Sequence, residues 1–327
     1  MREVAFIKQN KQKWLDFEKA LFGKTEKTPD ELADLFIHLT NDLAYAQTYY
    51  PKSKTIQYLN DLSARAFHKI YTSRATSWGQ ISYFFKYDLP LTLYKNRHYM
   101  LIAFIIFIFF IAVGVYSSIQ DPLYVEEILG TSYVEMTKEN IKNGDPLNVY
   151  KTGSAFESFI GIGLNNLRIS VMVFTSGIIF GIGSIYFAFK NGIMVGAFQY
   201  FFHTENLLLE SALGIWMHGA FEIFSIVIAL MSGLMLGGSL LFPKNYSRKL
   251  SIRNGAAAAI KVYISTIPFI TFAAFIEGYV TRFADEMIWI PKTIISLGTL
   301  SFIIWYYMIY PRKVYKKITS KPLNFIE

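Results

Sequence analysis

Apolar positions follow two regimes along the chain. Up to residue 76 they recur at helical spacing among polar residues, and beyond residue 98 they merge into runs long enough to cross a bilayer. In the first regime Phe6, Trp14, Phe17, Leu21 and Phe22 mark one helix, which ends on Gly23, a residue suited to a C-cap. Thr28, Pro29 and Glu31 occupy the N-cap, N1 and N3 positions of a second helix, which runs to about Tyr50 and is stopped by Pro51. Ile56, Leu59, Leu62, Ala66 and Ile70 form the stripe of a third. Helices this amphipathic must pack on one another, on a partner or on the membrane surface. Residues 1–76 are therefore expected to form a helical domain. His38 and His68 lie in it away from any carboxylate or histidine cluster, so both read as packing residues.

Residues 77–98 mix aromatics with Lys86, Lys95 and Arg97, a composition suited to an interfacial segment entering the bilayer. The span at 99–119 carries no charge, and a second is expected at 166–189, ended by Lys190. Within 191–242 a short leg, GIMVGAFQYFF, precedes HTENLLLE and then a long helix from about residue 212. That leg predicts a short, broken or re-entrant helix, covered by protein or water. His203, Glu205 and Glu210 fall in the turn after it and read as solvated. Spans at 257–280 and 292–310 complete the set, with Pro268 expected to kink the former. The fold class is all-α: a polytopic transmembrane helix bundle over 99–315, with about six spans, or five if 191–210 does not cross.

Composition agrees. Apolar residues make up 53% and charged residues 17%, with a mean hydropathy of +0.30, where a soluble domain would approach a quarter charged. The charge pattern orients the bundle. Residues 1–98 hold 15 Lys and Arg against 10 acids, and 119–157 hold 3 against 7. Lys244, Arg248, Lys249 and Arg253 face no acid in their loop, and the tail carries five basic residues from Arg312 to Lys321 against Glu327. Short basic loops stay cytoplasmic, so the N-terminal domain and both termini are expected inside, and the acidic segment at 119–165 outside. Dispersal of the basic residues over membrane flanks argues against nucleic acid as a partner. Membrane lipids and other membrane or envelope proteins are the expected partners, with a homo-oligomer open. The first 98 residues lack the apolar core of a signal peptide, and the lack of cysteine excludes thiol nucleophiles and thiolate metal sites.

Small residues four apart, at Gly177/Gly181, Gly192/Gly196 and Gly233/Gly237, allow close helix approach. Lys261 lies close enough to a span end to snorkel. Ionisable groups deep in the spans are costly and mark a site or a buried ion pair. His218 and Glu222 in WMHGAFE share one helix face. Topology places Glu157, Asn165, Asn166, Arg168, Glu277 and Arg282 in the same outer half of the bundle. Three chemistries fit this cluster. Arg168 could pair with Glu222 or Glu277 in a structural network; His and Glu could relay a proton or ion in a transport or lipid-handling site; or His218, Glu222 and Glu277 could hold a divalent metal with a water completing the site, as in a metal-dependent intramembrane hydrolase. Asn165 or Asn166 also suits the N-cap of the second span.

GIGLNNLRIS, WMHGAFEIFSIVIALMSGLMLG and AAFIEGYVTR together resemble the stage II sporulation protein M family, as do DLAYAQTYYP and YLNDLSARAFHKIY. The resemblance implies a helical integral protein of a bacterial or archaeal inner membrane. In spore formers such proteins act in a membrane complex that drives engulfment, beside separate peptidoglycan-cleaving partners. The resemblance implies no enzymatic activity, and its motif falls on Asn165, Asn166, His218, Glu222 and Glu277.

Overall fold

The computed structural model describes residues 2–22, 29–72, 78–145, 148, 153–243, 245–284 and 286–320. Gly23 and Thr28, expected as helix caps, lie outside these residues, as do Lys244, Lys321 and Glu327, and nothing is described of the His68 side chain. All regular elements among them are helical. The chain divides into two compact units, Met1–Ser82 and Tyr83–Glu327.

The first unit contains α1 (Glu3–Phe22), α2 (Pro29–Tyr49) and α3 (Lys54–Thr72). Its core is the expected stripe: Phe6, Trp14, Phe17 and Leu21 from α1 meet Leu39 and Ala46 of α2 and Leu59, Leu62 and Ala66 of α3. Two polar ties fix the packing. The Trp14 indole donates to Asp42 Oδ2 at 2.8 Å, and Thr55 Oγ1 donates to Glu3 Oε1 at 3.0 Å.

A short helix α4 (Trp78–Tyr83) crosses the boundary between the units. In the second unit a π-helical turn at Phe84–Asp88 leads into α5 (Leu89–Lys95). Leu89 and Leu93 are fully buried, so this stretch is part of the bundle and not only a surface segment. Lys261 is tied to it: its Nζ lies 2.8 Å from Asp88 Oδ2 in a half-exposed ion pair. Tyr306 and Tyr310 donate to the Phe85 and Lys86 carbonyls at 3.0 and 3.1 Å.

The bundle follows as α6 (Arg97–Gln120), α7 (Tyr124–Leu129), α8 (Thr131–Lys142), α9 (Ala155–Thr175), α10 (Ile182–Thr204) and α11 (Leu208–Leu241). It closes with α12 (Arg248–Ile264), α13 (Ile267–Phe275), α14 (Trp289–Ile304) and α15 (Tyr310–Thr319). Helical stretches at 97–120, 155–178, 208–241, 248–283 and 289–319 are long and apolar enough to cross a membrane.

The sixth leg departs from expectation. The stretch 166–189 is not one span: the chain leaves helix after a 3₁₀ turn at Ser176–Ile178 and re-enters at Ile182. Phe180 and Gly181 both have positive φ, 50° and 83°, so the turn comes about ten residues before Lys190. Helix α10 is then one unbroken 23-residue helix and not a re-entrant hairpin. It is about 34 Å long at 1.5 Å per residue, enough for a 30 Å hydrocarbon core. Gly177 meets Gly233 and Asn166 bonds Glu222, so α9 and α11 run parallel, and α10 joins the end of one to the start of the other; it is not among the stretches both long and apolar enough to cross.

Close packing follows the glycine pairs. Gly192 and Gly196 of α10 lie against the α6 backbone around Phe107, Phe110 and Ile111, and Gly237 lies against Gly181. Helix α11 forms the centre, touching α6, α9, α10, α12, α13 and α14. The expected kink is a break at Ser265–Thr266, with Pro268 in the first turn of α13. The acidic segment packs α7 on the far end of α10, where Val125, Val134, Phe201 and Phe202 form a small core.

Candidate functional site

The three helices α9, α10 and α11 do not close on each other along their whole length. Between them lies a cavity of about 280 Å³, into which Asn166, His218, Glu222 and Glu277 project. His218 and Glu222 lie one turn apart near the middle of the 34-residue α11, so the helix repeat aims both at the same space. Glu277 comes from the opposite direction. It sits in a π-helical turn, Ile276–Val280, that follows α13, and the wider π turn re-aims its side chain relative to a plain α-helix. Gly278 makes room there, for a Cβ would lie 2.9 Å from the Ala155 carbonyl and the Phe159 nitrogen of α9.

His218 is 2% exposed. Its Nδ1 lies 2.9 Å from Thr281 Oγ1, and its Nε2 lies 3.8 Å from Glu277 Oε2. Glu222 accepts from the Asn166 amide. One ligand atom each from His218, Glu222 and Glu277 lie within 4.8 Å of one another. The donor set suits a divalent cation: an imidazole and two carboxylates, each of two ligands already oriented by a neighbour, Thr281 on the imidazole and Asn166 on Glu222. Such outer partners fix ring orientation and carboxylate position at metal sites. Two carboxyls this close in a low-dielectric interior cannot both stand ionised alone; they share a proton or a cation. Among the described residues no Lys or Arg pairs with either.

The remaining residues of the expected cluster sit elsewhere. Glu157 is exposed and forms a capping box with Ser154 at the start of α9, because the second span begins earlier than expected. For the same reason neither Asn165 nor Asn166 caps it; Asn165 is exposed at the cavity edge. Arg282 donates to the Gly153 carbonyl at 2.9 Å. Arg168 is exposed on the side of α9 away from the core, so it forms no pair with Glu222 or Glu277. The structural network built on Arg168 is thereby corrected.

Gly219, between the two ligands on α11, makes no close helix contact: a Cβ there would meet only Ile215 Cγ2, at 3.9 Å. It keeps the cavity open and does not admit a neighbouring helix. Two groups escape a sequence reading, Thr281 behind His218 and Asn191 in the cavity lining. Thr281 stands four residues after Glu277, a spacing that could have disclosed it. Asn191 of α10 was hidden by taking Lys190 as a span end.

A family model described as stage II sporulation protein M matches residues 103–282, and one described as a domain of unknown function (DUF8413) matches residues 4–72. Comparison with curated proteins gives no match. Comparison with solved structures gives none either.

Proposed function

From the premise that this chain belongs to the stage II sporulation protein M family, we propose that it is a component of a cell-envelope membrane complex whose intramembrane His218–Glu222–Glu277 site binds a divalent cation. The observation that carries the reading is the convergence of those three ligands, within 4.8 Å, on an open cavity. A site that only braced the fold would fill its own space. This one adjoins a volume several times that of one water molecule, about 30 Å³. The cation would take the place of the proton that two neighbouring buried carboxyls otherwise share.

The chain is an integral membrane protein. Its location is proposed as the prokaryotic cytoplasmic membrane, with both termini inside. Charge supports this orientation: the turn after α11 carries Arg248, Lys249 and Arg253 on α12, and the opposite end carries the acidic 119–157 segment. Its partners are proposed to be lipids and other envelope proteins.

A second reading is favoured by one feature. Three protein ligands beside a cavity leave a coordination position open, the pattern of catalytic and not structural metal sites. A metal-dependent intramembrane hydrolase would use that position for a water. Elemental analysis of purified protein tests the shared premise. About one divalent metal per chain is expected in the wild type, lost in His218→Ala and in Glu277→Gln. Metal-free wild-type protein, folded and reconstituted with zinc without uptake, would remove both readings.

A further inference from the structure

Two arginines come together where the first span begins and the last one ends. Arg97 is the first residue of α6 and Arg312 lies in the first turn of α15, and both line one cavity of about 460 Å³. The rest of the lining is mostly apolar: Leu101 and Phe104 come from α6, and Met308 from the π-helical turn Trp305–Ile309 that leads into α15. No acid is among the lining residues.

Local structure holds the pair in place. The Arg97 guanidinium lies 4.5 Å from the centroid of the Tyr94 ring, and its Nη1 donates to the Tyr94 carbonyl at 3.0 Å. That ring stacks on Tyr315 of α15, with centroids 4.1 Å apart. The stack joins α5, which ends just before Arg97, to the helix that carries Arg312. Among the described residues Arg312 makes no hydrogen bond, and neither arginine pairs with a carboxylate. Two positive charges thus share a cavity to which these residues bring no counter-ion.

Depth selects the occupant. Leu101 stands four residues past Arg97 and Phe104 seven, so the helical repeat sets all three on one face of α6. At 1.5 Å per residue they lie about 6 and 10 Å deeper in the span than the cation. Met308, four residues before Arg312, is deeper by about one turn in the same way. Leu101 is 62% exposed and Met308 40%, so the apolar wall opens sideways, where acyl chains lie. A free anion would engage the guanidiniums and leave that wall uncovered. A lipid uses both parts: its phosphate accepts forked, charge-assisted bonds from the arginines, and its chains cover the wall below. Basic pockets between spans hold anionic headgroups in this manner, and the volume is that of a small-molecule site.

We propose that Arg97 and Arg312 bind the phosphate of an anionic membrane phospholipid, whose chains run along Leu101, Phe104 and Met308. The proposal is independent of the metal reading, since none of these residues lines the cavity beside His218.

Native mass spectrometry of the full chain, released from bilayers of mixed phosphatidylcholine and phosphatidylglycerol, tests it. The wild type is expected to retain one phosphatidylglycerol in preference to phosphatidylcholine. Arg97→Gln/Arg312→Gln should lower that retention by at least about fivefold for each arginine removed. Lys313→Gln/Lys317→Gln takes the same charge from α15 outside the cavity lining and should keep the lipid. Equal loss from both variants would reduce the effect to surface charge and overturn the site, as would equal retention by both. Should the arginine double variant fail to fold, Arg312→Gln decides, because that side chain makes no polar contact among the described residues; full retention then contradicts the proposal. Inorganic phosphate bound by the detergent-purified protein as tightly as the lipid would overturn the lipid as the ligand.

Discussion

Substituting Gly177 by Ala is the sharpest test of how packing positions the site. The Cβ added at residue 177 would lie 2.5 Å from Gly233 Cα and 2.7 Å from its carbonyl carbon, both backbone atoms that cannot rotate away. Ordinary contact begins at 3.4 Å, so α9 and α11 must part locally by about 0.9 Å (3.4 minus 2.5). Overpacking of this kind costs about 1–3 kcal/mol. The same change in an unobstructed helix would stabilise by about 0.5–1 kcal/mol. Gly219→Ala supplies that control, because its new methyl meets only Ile215 Cγ2 at 3.9 Å.

The cost should also reach the site. Asn166 precedes Gly177 by eleven residues and Glu222 precedes Gly233 by eleven, so the glycine contact and the Asn166–Glu222 bond belong to one register. The assay is thermal unfolding of full-length protein in detergent, followed by loss of the monodisperse peak on size exclusion. Gly177→Ala should lower the midpoint and Gly219→Ala should hold or raise it. A Gly177→Ala variant as stable as wild type, or a Gly219→Ala variant equally damaged, would refute the packing argument.

Three further outcomes are expected. Asn166→Ala and Thr281→Val each remove a partner of a proposed ligand and should weaken metal binding about 10–100-fold without unfolding the bundle, measured by competition with a chelating dye. Lys261→Met breaks the pair with Asp88; both groups are more than a third exposed, so the loss should stay under about 1 kcal/mol and shrink at high salt, read as a change in unfolding midpoint. Trp14→Phe keeps the ring but deletes the 2.8 Å bond to Asp42; it should cost about 1–3 kcal/mol in the first unit, seen as faster amide hydrogen exchange in α1.

The fold was legible wherever hydrophobic period and chain breakers agreed. Phe6, Trp14, Phe17 and Leu21 spaced a helix that the core then used, and Pro268 marked the break in the fifth span. The turn at 179–181 was hidden because FGIG is as apolar as the spans on either side. Only the positive φ of Phe180 and Gly181 discloses it. That one shift carried others with it: Lys190 looked like a span end, the helix it belongs to looked shorter than its 23 residues, and Asn191 went unnoticed. At the site, the helical repeat was enough to pair His218 with Glu222. Assigning Arg168 to them was not, because residues 165 and 166 project toward the cavity and residue 168, further round the helix, projects away. The aim of Glu277 was beyond reach as well, since it depends on a π turn that no side-chain pattern announces.

X-ray absorption at the metal edge of the purified, zinc-loaded protein tests the central claim most directly. One imidazole and oxygen ligands at about 2.0–2.2 Å are expected, with the imidazole signal lost in His218→Ala. A first shell with no imidazole, or one unchanged by that substitution, would place the metal elsewhere and contradict the account.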